Sequence, residues 1–127
     1  MLPDANNVIL RGQPSVVSRL QAASPRQLAI PSVVAYEIEY ETLKIGSPRR
    51  RDIVSALLAG IQQVPSDREA ALESARIRID LEARGLLIGP MDLLIAGTAV
   101  SRGAVLVTNN TKEFSRIKGL RLSDWTK

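Results

Sequence analysis

Near its carboxyl terminus the chain reads Ala-Val-Leu-Val-Thr over Ala104–Thr108, a short β-branched run with no polar residue before Thr108. A strand that is apolar on both faces must be covered on both faces, as strands of a parallel sheet are. The run then stops abruptly in Thr108-Asn109-Asn110. This one segment calls for a sheet with helices on either side, and the rest of the chain has to supply them.

It does so at helical spacing. Ser15–Ala23 follows Pro14 and carries Val16, Val17 and Leu20 in a helical pattern. Leu28–Ile30 is a short apolar run, after which Pro31-Ser32 opens a helix to about Lys44, and Gly46-Ser47-Pro48 breaks it. Arg50–Gln62 places Ile53, Val54, Leu57, Leu58 and Ile61 on one helical face. Ser66-Asp67 caps a further helix reaching about Arg84, with Leu72, Ala75, Ile79 and Leu81 expected inward and Gly85 as its stop. Gly89-Pro90 precedes a helix from about Met91 to Arg102, ended by Gly103. Met1–Asp4 reads as a truncated first strand, in which Pro3 suits only an edge or an end. Leu120–Leu122 reads as a last edge strand. Short apolar strands alternating with longer helices predict an α/β three-layer sandwich, a small parallel sheet flanked by helices, as one domain over residues 1–127.

Composition matters most through an absence. The 127 residues include no His and no Cys, which excludes Ser-His-Asp and Cys-His chemistry, two-histidine nuclease sites, typical zinc sites and disulfides. Acid–base and ligand chemistry then falls to Asp, Glu, Lys, Tyr, Ser or Thr, and carboxylates with a hard divalent cation are the main remaining route. Thirteen Arg and four Lys give a net charge of +4, compatible with a polyanionic partner. Asp4 stands ahead of a very short apolar run, unlike a secretory signal, and no stretch approaches the roughly 18 apolar residues of a membrane span. A cytoplasmic protein without membrane attachment is expected.

In open parallel sheets, sites form outside the carboxyl ends of the strands. Asp4-Ala5-Asn6 follows the first expected strand, and Thr108-Asn109-Asn110 follows the buried one. Glu37 lies in the first turns of the helix after Leu28–Ile30, Asp92 starts the helix after Gly89-Pro90, and Glu113 comes shortly after Asn110. Carboxylates converging in a partly dry cleft repel one another, and a divalent cation relieves that repulsion, activates a water and stabilises phosphate charge. Each residue also has a plainer role. Asp92 suits a helix cap, Glu37 belongs equally to a solvated trio with Glu39 and Glu41, and Asp4 and Asn109-Asn110 suit turns. Val33, Glu37 and Tyr40 share a helical face, which points Glu37 towards the core side. Arg49-Arg50-Arg51 reads as a solvated face before it reads as an RNA patch, and Tyr36, Tyr40 and Trp125 read as structural.

Taken together the motifs resemble a known family. Gly85–Trp125, GLLIGPMDLLIAGTAVSRGAVLVTNNTKEFSRIKGLRLSDW, resembles the C-terminal half of VapC-type PIN-domain toxins, with their I-G-P-x-D-x-x-I-A element, L-V-T-N-N-x-x-E-F and terminal L-x-x-x-D-W. Ser32–Tyr40, SVVAYEIEY, resembles their S-V-T-x-x-E-L-x-Y segment, and Asp4-Ala5-Asn6 their opening D-[TA]-N. The resemblance implies a PIN-like fold and an endoribonuclease dependent on Mg²⁺, with Mn²⁺ as a substitute. It implies Asp4, Glu37 and Asp92 as metal ligands, with Glu113 of the N-N-x-x-E form as the fourth. Asn6, Thr108, Asn109 and Asn110 would support those ligands. It further implies a VapB-like antitoxin partner, an RNA substrate, operator DNA bound only as the toxin–antitoxin complex, and a homodimer.

Two rivals stand beside this reading. One is a PIN fold with an altered N-terminus, Pro3–Gly12, that pairs with an antitoxin or helps bind operator DNA without catalysis. The other is a different magnesium α/β enzyme. The opening lacks the Asp-x-Asp pair of a haloacid-dehalogenase-type phosphatase, and the chain lacks the strand-end lysine arrangement of a receiver domain.

Overall fold

The computed structural model describes residues 8–10, 29–108 and 110–123. Its elements, numbered as they occur among these residues, begin with β1 (Val8–Leu10), β2 (Ala29–Pro31), α1 (Ser32–Ile45), α2 (Pro48–Ala59) and β3 (Gln62–Val64). They continue with α3 (Arg68–Ala83), α4 (Pro90–Ser101), β4 (Val105–Val107), α5 (Thr111–Phe114) and β5 (Arg121–Ser123).

The five strands form one sheet in the order β3-β2-β1-β4-β5, every pairing parallel. β1 is central: Ile9 is in register with Ala29 on one side and with Leu106 on the other. The first strand was expected at Met1–Asp4, which lies outside the described residues; the strand at the sheet centre is Val8–Leu10. A central strand bonds on both sides, which suits Val-Ile-Leu. Pro31 is tolerated because it ends β2 and serves as the N-cap of α1. The expected helix over Ser15–Ala23 also lies outside the described residues.

The apolar run that motivated the fold behaves as expected. Leu106 and Val107 of β4 are buried, and Ile30 of β2 has no exposed surface. Around them pack Val34 and Ile38 of α1, Val54 of α2, Leu81 of α3, Ile95 and Ala99 of α4, and Phe114. Full burial of each such Val, Leu, Ile or Phe side chain stabilises the fold by about 1.5–3 kcal/mol before entropy is counted.

Helix starts follow their local chemistry. Ser47 Oγ accepts the Arg50 N–H at 3.3 Å to start α2, with Pro48 in its first turn. Asp67 Oδ1 accepts the Ala70 N–H at 3.0 Å to start α3, as Ser66-Asp67 suggested. Gly103, at φ 62°, lets the chain leave α4 and enter β4 directly.

Two expectations are corrected. Arg50–Gln62 is not one helix: α2 ends at Ala59 and Gln62–Val64 is an edge strand beside β2. Gln62 and Gln63 are exposed, so that strand carries no apolar signature. The inward face of α3 is also different, apart from Leu81, which is buried as expected. Ala70, Ser74, Ile77 and Leu81 are buried, whereas Leu72 and Ile79 are 49% and 68% exposed and Ala75 faces solvent. Close packing of α3 on α4 selects the face with small residues. A Cβ on Gly97 of α4 would fall 1.9 Å from Ser74 Oγ, 2.7 Å from Ser74 N and 2.8 Å from Ala70 O.

Candidate active site

The strand order locates the crevice. From β1 the chain moves outward through β2 and β3, then returns to the other side of β1 with β4 and β5. The order reverses between β1 and β4, and ligands of open parallel sheets bind outside the carboxyl ends at such a reversal.

Three described segments lead to that edge. α1 starts directly after β2, so Glu37, in its second turn, stays near the carboxyl end. Glu37 is half-buried beside the buried stripe of Val34, Ala35, Ile38 and Thr42, and its Oε1 is shielded from solvent. Of the residues expected to share its face, Val33 is half-buried and Tyr40 is exposed, and Glu39 too is exposed.

α4 precedes β4 through only Arg102-Gly103-Ala104, so its C-terminus lies at the start of that strand and its N-terminus at the opposite, carboxyl edge. Asp92 is half-buried in the first turn, after the N-cap Gly89 and Pro90. Gly89 has no side chain to cap the helix, and a Cβ built there would stand 3.9 Å from Asp92 Oδ2. The carboxylate thus leans back over the helix start, where the dipole favours negative charge. The capping role foreseen for Asp92 and a ligand role use the same placement.

The third segment is the turn after β4. Thr108 is buried, donates its N–H to Ser123 O at 3.0 Å and accepts the Asn110 N–H on Oγ1 at 3.0 Å. Phe114, wholly buried, donates its N–H to Asn110 O at 3.4 Å and anchors α5. Glu113, between them, is half-buried in the first turn of α5.

Asp4, Asn6 and Asn109 lie outside the described residues. Among the described residues, no three Asp or Glu side chains stand close enough to hold a metal ion. Glu37, Asp92 and Glu113 therefore do not close a metal site by themselves. The donor set is oxygen-only and one carboxylate oxygen is buried, which suits a hard cation once a further donor completes the shell.

The arginine run is split by burial. Arg49 and Arg51 are exposed, while Arg50 is half-buried with its Nε enclosed. The run sits at the start of α2, whose other end lines a groove with the beginning of α1. The sequence marked Gly89 only as part of a helix start; the structure adds that it stands beside Asp92, a Cβ there lying 3.9 Å from Oδ2.

The PIN-domain profile matches residues 1–120. This chain belongs to the PIN-domain family. The tRNA(fMet)-specific endonuclease VapC of Salmonella typhimurium is 34% identical over 125 residues, 96% of this chain and 95% of that protein. Ribonuclease VapC2 of Rickettsia felis is 37% identical over 108 residues, 83% of this chain and 79% of that protein. Among solved structures, the DNA-bound VapBC of Salmonella typhimurium superposes with a TM-score of 0.79 at 30% identity, covering 94% of this chain and 98% of that one. Within the PIN family the chain is thus a relative of the VapC ribonuclease toxins, and the site described is the carboxylate edge of a PIN domain. Among the described residues no helix of this PIN domain is long and apolar enough to cross a membrane.

Proposed function

We propose that this PIN domain is a divalent-cation-dependent endoribonuclease and the toxin of a toxin–antitoxin pair. One observation supports the chemistry above others: the start of α1 with Glu37, the start of α4 with Asp92 and the Thr108 turn all lead to the edge where the strand order reverses. Asp4, Glu37, Asp92 and Glu113 are assigned to hold Mg²⁺, or Mn²⁺ in its place. The ion supplies charge neutralisation on the phosphate and a water of lowered pKa. The chain's own part is positioning. Asp92 stands in the first turn of α4, where the helix dipole favours negative charge, and Glu37 Oε1 is shielded from solvent. The Thr108–Asn110 hydrogen bond fixes the turn that leads to Asn110 and Glu113; Asn6 and Asn109 are assigned to support the ligands. With neither His nor Cys, the reaction forms no His- or Cys-based covalent intermediate, and direct attack by water is the assigned route.

The assigned partners are an RNA substrate and a VapB-like antitoxin, with operator DNA engaged as the toxin–antitoxin complex; a homodimer and a cytoplasmic location complete the reading. Total cellular RNA incubated with purified, antitoxin-free protein and Mg²⁺ tests it. Discrete fragments that disappear with EDTA and with Asp92→Asn are expected, and intact RNA even with Mn²⁺ would overturn the nuclease.

A second reading keeps the PIN fold but makes it a partner that binds antitoxin and operator without cleaving RNA; the altered Pro3–Gly12 segment of the sequence favours it. Asp4→Asn separates the two. Loss of cleavage supports the four-carboxylate site, and unchanged behaviour with no cleavage in either protein supports the binding partner.

A further inference from the structure

Two arginines brace the segments that lead to two of the assigned carboxylates. Arg84 is the C-cap of α3, and its Nη2 donates to the main-chain O of Arg116 at 2.5 Å. Arg116 reaches back, its Nη1 donating to the main-chain O of Leu86 at 3.3 Å. Leu86 and Arg116 are 30 residues apart in sequence, so the pair of bonds is a tertiary contact and no part of a helix or turn.

Both ends of the brace are fixed in their own right. The Leu86 N–H donates to Leu81 O at 2.9 Å, in the turn that Gly85 makes at φ 67°. The Arg116 N–H donates to Glu113 O at 3.2 Å, and Ile117 beside it is buried. Asp80 Oδ2 accepts Arg84 Nε at 3.0 Å and so steadies the guanidinium that bonds Arg116 O.

From Leu86 the chain runs through buried Ile88 to Gly89 and the first turn of α4, where Asp92 stands. The brace therefore connects the approach to Asp92 with the turn that holds Glu113. Carboxylates that share one hard cation need a fixed separation, because Mg²⁺ takes oxygen at about 2.0–2.1 Å in near-ideal octahedral geometry. Asp92 and Glu113 stand on separate helices, and α5, with four residues, is too short to hold its direction without tertiary contacts. The guanidinium groups have no acceptor and cannot be ligands themselves, and their charge alone would oppose a cation.

We propose that Arg116 is a positioning residue for the cation, supported by Arg84, and that their mutual brace sets the spacing of Asp92 and Glu113. The proposal rests on the nuclease reading for the cation and its ligands, and adds the pair that holds two of those ligands in place.

Mn²⁺ titration of the full chain, followed by loss of the free-ion EPR signal, reads this without any cleavage. Arg116→Gln is expected to weaken Mn²⁺ binding at least about tenfold, the scale of lost support behind a metal ligand. Arg84→Gln should weaken it at least about threefold, because the Arg116–Leu86 bond survives. Arg116→Lys, which keeps a donor, should recover part of the loss. If the arginines acted through charge alone, their removal would tighten binding, the opposite sign. Asp67→Ala removes the cap at the other end of α3 and lowers stability with the brace intact, so its Mn²⁺ affinity should match wild type.

Arg116→Gln protein that binds Mn²⁺ as wild type does, or more tightly, would overturn the proposal, and so would an equal loss in Asp67→Ala. Arg84 is exposed, so Arg84→Gln tests the brace from its other end if Arg116→Gln fails to fold. Asp92→Asn and Glu113→Gln in the same titration separate the brace from the reading beneath it. Wild type that holds no Mn²⁺, or two carboxylate variants that hold it unchanged, removes the nuclease reading and the brace together. Weakened binding in both carboxylate variants but not in the arginine variants removes the brace alone, as does Glu113→Gln protein that binds normally when Asp92→Asn does not.

Discussion

Gly97 of α4 rests on the backbone of Ser74 in α3 so closely that a Cβ at Gly97 would lie 2.7 Å from the Ser74 nitrogen and 1.9 Å from its Oγ. The Ser74 hydroxyl is turned away from solvent and donates to Ala70 O at 2.7 Å, which leaves it no unsatisfied hydrogen in the contact. Gly97→Ala is therefore expected to destabilise the protein by about 1–3 kcal/mol, despite the better helix propensity of Ala. Urea unfolding measures this. Adding Ser74→Ala should recover only part of the loss, because the Ser74 nitrogen and Ala70 O, at 2.7 and 2.8 Å, remain in the way. Full recovery would show that the hydroxyl alone sets the spacing.

Asp92→Asn should separate function from stability. The substitution removes a negative charge from the start of α4, worth about 0.3–1 kcal/mol through the helix dipole. Cleavage of RNA, if it uses this carboxylate, should fall by at least about a hundredfold while the urea midpoint moves little. A parallel fall in both would make Asp92 a cap and no more.

Thr108→Val keeps shape and removes the oxygen that accepts the Asn110 N–H. A loss of about 1–3 kcal/mol is expected if that N–H is left without a partner. The turn carrying Asn110 and Glu113 would also loosen, so cleavage measured well below the melting range should drop further than in Gly97→Ala protein of equal stability. Equal losses in the two variants would deny the turn a positioning role.

Phe114 has no exposed surface and is the anchor of a helix only four residues long. Phe114→Ala should cost about 3–5 kcal/mol, seen as a lower urea midpoint with a similar slope. Phe114→Leu should restore most of that loss, since it keeps most of the buried volume.

Asp80 links electrostatics to pH. Its carboxylate accepts Arg84 Nε at 3.0 Å and Nη2 at 2.5 Å, and that hydrogen bonding, with the charges of Arg84 and Lys118, holds its pKa below the usual value. A depressed pKa stabilises the folded state at pH values above the unfolded pKa, and the contribution is lost as pH falls through the folded one. Wild type and Asp80→Asn should thus differ slightly in urea midpoint near neutrality and converge below about pH 4. A difference that persists in acid would assign the effect to packing, for instance through Arg84, which also donates to Arg116 O at 2.5 Å.

Much of the architecture could be read from local pattern. β4 declared itself because both of its faces are apolar, and the helix starts at Asp67 and Gly89-Pro90 because capping is a short-range event. Glu37 and Asp92 stood out as residues near helix starts after strands or turns, and both lie where that reasoning put them along the chain. β3 was hidden because Gln62 and Gln63 are exposed on an edge, where pairing is decided by the neighbouring strand and not by hydrophobicity.

The sequence sufficed for element types, for exclusion of histidine and thiol chemistry and for the family's motifs, since each depends on residues close together in the chain. Long-range packing settled the rest. Leu72, Ala75 and Ile79 were expected inward with Leu81, yet Ala70, Ser74 and Ile77 are the residues buried beside Leu81, and Gly97 packs directly on Ser74 and Ala70. The central place of Val8–Leu10 depends on two neighbours distant in sequence. Which side of a helix is covered, and which end of a strand meets a carboxylate, are properties of pairs of elements, and a single segment carries no free-energy term that decides them.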